Sequence, residues 1–173
     1  GLCTEGARHA WIFNINIFEN TNHGLLVGYN SSVDVSGSTI RNNASNGIHI
    51  RDGGQVNLFG GNKIYANGDN GIRLGDGSQL DVPCQSSSPT VFFTQTNGSD
   101  ANTNDAIRLK GRNAIFTSCG GLDLSYHRYG INANIGGAVR VNNVTIKKSS
   151  KDGVHLFGAK MEMYNSTIEE SSE

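Results

Sequence analysis

One short strand recurs six times along this chain, and its spacing limits the possible folds more than any other feature. The copies are Gly24-Leu-Leu-Val, Gly47-Ile-His-Ile, Gly71-Ile-Arg-Leu, Ala106-Ile-Arg-Leu, Gly130-Ile-Asn-Ala and Gly153-Val-His-Leu. Their starts lie 23, 24, 35, 24 and 23 residues apart. A period of this size describes a solenoid, because one coil cannot bury its own apolar side chains and must stack on its neighbours.

A second apolar point follows inside each copy and a third inside four of them. Alternating pairs come first: Val33/Val35, Val56/Leu58, Leu80/Val82, Val139/Val141 and Met161/Met163, with Ile115/Thr117 as the weaker pair of the fourth copy. Ile17, Ile40, Ile64, Ile146 and Ile168 then mark a third strand. Period-2 alternation broken by Gly, Asn and Ser predicts three short strands per coil. The expected architecture is all-β: one parallel β-solenoid over residues 1–173, of about six coils of about 23 residues, roughly 30 Å long at the usual strand spacing. Three residues after each third-strand Ile stand Asn20, Asn43, Asn67, Ser149 and Ser171. Stacked, they predict a polar ladder that satisfies backbone groups at a corner. Asn46, Asn70, Asp105 and Asp152 precede repeat starts and read as left-handed turn positions, as do the glycines after them.

Segments such as Asn46-Gly-Ile-His-Ile-Arg-Asp and Ser38-Thr-Ile-Arg-Asn-Asn resemble the right-handed parallel β-helix superfamily, over about residues 12–170. That superfamily includes pectate-lyase-like polysaccharide enzymes, phage tailspikes and bacterial surface proteins. The resemblance implies a right-handed coil. It also implies a polysaccharide partner and an extracellular, cell-surface or virion-surface setting.

Composition excludes other classes. With 14 basic and 15 acidic residues there is no basic excess for nucleic acid. No apolar run reaches membrane-spanning length. No signal peptide opens the chain, which starts in mid-pattern, as an excised piece or a processed product would. No capping segment is evident at either end. The expectation is therefore a longer β-helix stacking at its coil ends, or one protomer of a homo-oligomer such as a trimer.

The third coil is long by about a dozen residues, placed as an insertion loop over 83–105. Phe92 and Phe93 within it either close over a sugar ring or pack on the rod. Cys84 and Cys119 each follow their repeat start by thirteen residues, so they should stack about 5 Å apart and form a disulfide; the alternative is two buried free thiols. Cys3 is left over.

Candidate chemistry lies on the outward positions of the first strand. One column reads Leu26, His49, Arg73, Arg108, Asn132, His155, and the next Gly28, Arg51, Gly75, Lys110, Asn134, Phe157. Asp52 and Asp76 fall beside them. Asp52, Asp76, Arg73 and Arg108 are the candidate catalytic residues, and His49, Arg51, Lys110, Phe92 and Phe93 the candidate substrate contacts. Paired carboxylates suit acid/base work, as in glycoside hydrolysis. They also suit Ca²⁺, with the arginines then free for uronate carboxylates. In lyases that the resemblance brings in, a basic residue removes the proton beside the uronate carboxylate. No zinc, calcium-loop or nucleophile motif is present. Two other outcomes stay open: sugar binding without catalysis, and a solvated face on a structural fibre, adhesin or stalk. The second strand's outward column, Asp34, Asn57, Asp81, Phe116, Arg140, Glu162, reads as solvated surface.

Overall fold

A computed structural model describes residues 1–84, 91–93 and 101–171, with only the backbone of Val91 and Phe92. Among the described residues the chain is all strand and turn. It forms three parallel sheets of seven strands each, and every strand pairs with its counterparts in the coils before and after. Sheet A holds Leu2–Glu5, Leu25–Gly28, Ile48–Ile50, Ile72–Leu74, Ile107–Leu109, Ile131–Ala133 and Val154–Leu156. Sheet B follows each of these, from Ala10–Phe13 to Lys160–Tyr164, and sheet C closes each coil, from Asn16–Phe18 to Thr167–Glu169. The seventh coil, beyond the six counted from repeat starts, is the N-terminal one, where Leu2 pairs with Leu25. No helix long and apolar enough to cross a membrane occurs among the described residues.

The core is a set of stacked columns. Leu25, Ile48, Ile72, Ile107 and Ile131 are in register and fully buried in sheet A, which explains why aliphatic side chains alternate with polar ones along each strand. In sheet B, register corrects the reading of the fourth coil. Leu80 pairs with Phe116 and Val82 with Ser118, so Phe116 is buried and Ile115 points outward. The outward column there carries Thr117, which hydrogen-bonds Asp81. An extra residue at the preceding corner causes the shift. Gly111 lies so close to the coil below that an added Cβ would come within 2.0 Å of the Gly75 carbonyl carbon.

The insertion is also reorganised. Val91–Phe92 forms the sheet C strand of its own coil, pairing with Asn62–Lys63 and with Leu122–Asp123. That register places Phe93 between Ile64 and Leu124, fully buried. It is the missing third-strand core residue and is removed from the candidate sugar contacts. The strand thus divides the sequence 83–105 into two stretches. Eleven positions separate Val82 from Phe93 where six separate Leu58 from Ile64, and nine separate Phe93 from Asn102 where three separate Ile64 from Asn67. Most of that excess, and the Phe92 side chain, lie outside the described residues. Cys84 and Cys119 are joined by a disulfide with Cα atoms 4.7 Å apart. Cys84 is exposed rather than buried.

The corner after sheet C carries the ladder. Asn20 donates to Asn43 at 2.7 Å, Asn43 to Asn67 at 2.9 Å, Asn67 to Asn102 at 2.8 Å, and Asn102 to Nε2 of His127 at 3.0 Å. Asn102 and His127 are the two rungs that spacing alone had hidden. At this corner the residue one position before the ladder is left-handed in six coils: Glu19, Asn42, Ala66, Tyr126, Lys148 and Glu170, with φ between 51° and 68°. Positions before the repeat starts are not left-handed, contrary to expectation, and neither are Gly24, Gly47 and Gly71. Those glycines serve close approach instead. A Cβ on Gly47 would lie 2.8 Å from the Asn67 amide nitrogen and 2.8 Å from an Ile64 methyl group. The ladder amide and the repeat-start glycine are therefore one packing unit.

His127 makes this corner sensitive to acid. Burial pushes its pKa down to about 4 from the usual 6.5. The unfolded chain takes up this proton as pH falls below about 6.5, whereas the folded chain does not until about 4. Stability present at pH 7 is therefore lost between those values, by about 3 kcal/mol from this residue. Chemical denaturation of His127→Asn, which restores the ladder amide, should show a pH 7 to pH 4 loss smaller by about that amount.

Candidate functional site

Sheet A presents the outward column in register: Leu26, His49, Arg73, Arg108, Asn132 and His155 are successive Cα partners. Alternation forces these positions outward, because their neighbours Ile48, Ile72 and Ile107 fill the core. His49, Arg73 and Arg108 are thus brought together on three adjacent coils.

Their surroundings are cationic. Burial, His23, Arg73 and Arg51, in that order, push the His49 pKa down to about 4. Burial and then Arg73 lower His23 as well. Both rings are uncharged near neutrality. They meet edge-on with centroids 4.6 Å apart and His49 Nδ1 3.1 Å from His23 Nε2. Arg73 has no carboxylate within ion-pair distance among the described residues. Arg108 has a distant one: its Nε lies 3.9 Å from Asp105 Oδ2. Asp105 is fully buried, held at 3.1 Å by Arg128 Nε and at 2.9 Å by Asn132 Nδ2. Its charge is committed to Arg128 and Asn132, which leaves the outer face of Arg108 available.

The other predicted residues stand apart from this column. Arg51 reaches back to Glu5 at 2.6 Å and lies over the Tyr29 ring. Asp52 and Asp76 occupy the first central position of equivalent four-residue turns, Arg51–Gly54 and Gly75–Ser78. Asp52 has φ 50° and a weak contact to Arg51 at 3.5 Å; Asp76 accepts the Arg112 backbone N–H at 2.7 Å. Lys110 joins Asp76, Arg112, Asn134, Ile135 and Phe157 around a shallow concavity beside that turn. Among the described residues no three His, Cys, Asp or Glu side chains converge to hold a metal ion.

A family model described as the right-handed beta helix region matches residues 1–87, just over half of the chain. The chain belongs to this family. No curated protein and no solved structure matched it. Membership gives the β-helix its right hand and names no ligand.

Sequence reasoning missed His23, Asp105 and Arg128 as parts of this site. His23 and Asp105 occupy the slot before the repeat start, as Asn46 and Asn70 do, and that slot reads as turn chemistry in a linear sequence. Its side chains instead run along the edge of the outward column.

Proposed function

We propose that this β-helix binds an acidic polysaccharide along the outward face of sheet A, with Arg73 and Arg108 taking uronate carboxylates. One observation carries the reading. Two guanidinium groups stand in register on adjacent strands, one without a carboxylate partner among the described residues, in surroundings cationic enough to help keep a neighbouring histidine uncharged. Parallel strands lie about 4.8 Å apart, so each group can meet its own anion on an extended chain. Guanidinium suits this task because its planar fork matches a carboxylate.

The disulfide fits an extracellular or virion-surface setting, where such bonds persist. A hydrolytic step would draw on Asp52 and Asp76, in the turns that follow the sheet A strands, and a lyase step on the basic residues Arg73 and Arg108. The test is incubation with polygalacturonate, alginate, a sulfated glycan and a neutral glucan, with and without Ca²⁺, following binding and product release together. Selective uronate binding supports the reading, and an ultraviolet-absorbing unsaturated product would add lyase activity. No uronate response would overturn it in favour of a structural rod. Arg73→Ala should weaken uronate binding roughly 10- to 100-fold, the expected loss of one charge-assisted contact, with the fold intact.

A further inference from the structure

His49 is linked to the protein interior by a directed hydrogen-bond chain. It begins at the backbone, where direction is unambiguous. The Asp105 N–H points at Asn70 Oδ1 at 3.2 Å, and the Asn70 N–H points at Asn46 Oδ1 at 3.3 Å. A backbone N–H only donates, so both amides are oriented with their oxygen toward it. The Asn70 amide nitrogen then donates to Asn46 Oδ1 at 2.9 Å. The Asn46 amide nitrogen faces His23 Nδ1 at 3.3 Å. An amide nitrogen cannot accept, so His23 Nδ1 carries the lone pair and His23 cannot be an imidazolium in this arrangement. Its proton is on Nε2 and is donated to His49 Nδ1, 3.1 Å away. His49 therefore accepts at Nδ1 and keeps its own proton on Nε2.

We propose that His49 meets its ligand as a neutral Nε2–H donor, fixed in that tautomer by the chain through Asn70, Asn46 and His23, and that it binds one carboxylate oxygen beside Arg73. The ligand half rests on the uronate reading above. His49 and Arg73 are direct Cα partners on one outward face, so a cation and a neutral donor stand side by side. This arrangement excludes His49 from removing a substrate proton through Nε2, which already carries one. His23, which touches no ligand in this scheme, is a positioning residue.

The charged groups acting on the pair are Arg51, Arg73 and Asp69. With His49 held neutral down to about 4, its contribution to binding should stay constant from pH 7 to pH 5, whereas an imidazolium clamp would strengthen through pH 6.5.

The experiment is long-range nitrogen–proton NMR on the uniformly ¹⁵N-labelled protein, followed by titration with hexagalacturonate. The expected spectrum shows His23 and His49 both protonated at Nε2 at pH 7, with a scalar coupling across the hydrogen bond from His23 Nε2 to His49 Nδ1. His127, which accepts at Nε2, should show the opposite tautomer in the same spectrum. His49→Leu should lose about tenfold in affinity, and His49→Gln, which keeps an N–H donor, within about threefold. His23→Leu should abolish the coupling. A charged His49 at pH 7, a proton on its Nδ1, or equal affinity of the Leu variant would overturn the proposal. Failure of the wild type to bind hexagalacturonate would overturn the uronate reading and the ligand half, while the spectrum would still decide the tautomer.

Discussion

Phe93→Ala should destabilise the β-helix by about 3–5 kcal/mol, the usual cost of truncating a buried aromatic side chain. The ring is fully buried and fills the sheet C column between Ile64 and Leu124. It lies against Gly71, where an added Cβ would come within 2.6 Å of Phe93 Cδ1, and edge-on to His127 at 6.2 Å. Little can collapse into the space, because its walls are backbone-linked coils held by sheet hydrogen bonds. Phe93→Leu should cost less, since an aliphatic side chain is what the rest of the column uses. Ile115→Ala, at a site 41 % exposed, should stay within about 1 kcal/mol. Urea denaturation of the three variants measures the contrast. A sugar-contacting Phe93 would reverse it, giving lost binding with unchanged stability.

Asn67→Ala should cost a similar amount, about 3–5 kcal/mol, by a different route. Asn67 Oδ1 accepts both the backbone N–H and the amide of Asn43, at 3.2 and 2.9 Å, and its Nδ2 donates to Ile40 O at 3.3 Å and to Asn102 at 2.8 Å. All of these bonds are buried, and each stranded partner costs about 1–3 kcal/mol, reduced where it finds another contact. The ladder also holds Ala66 at φ 51°, a conformation that alanine disfavours by about 1–2 kcal/mol. Removing the rung frees that bend. Amide exchange should therefore rise first at the corner around Asn43, Ala66 and Asn102, ahead of the sheet A strands. Uniform exchange across the coil would mean that the ladder does not set corner stability.

The solenoid and its period were legible because sheet A repeats one pattern without a shift: Ile48, Ile72 and Ile107 are in register both in sequence and in space. The reading slipped where residues were added at corners. One residue near Gly111 moved sheet B by a position and exchanged Ile115 for Phe116 in the core. Two additions flanking Val91–Phe92 concealed a strand inside what reads as a loop. In the site, His49, Arg73 and Arg108 were legible as outward positions of a single strand type. The hydrogen-bond chain behind His49 was not, because its members come from different coils. Spacing places side chains on a face, but it does not say which atom donates.

Calorimetric titration of hexagalacturonate, at low and at physiological salt, tests the central claim most directly. Wild-type protein should bind, bind more weakly as salt rises, and ignore a neutral hexasaccharide. The Arg73→Ala, Arg108→Ala double variant should lose at least about 100-fold with unchanged thermal stability. Equal binding by the double variant, or no binding of the uronate by the wild type, would contradict an acidic-polysaccharide face on sheet A.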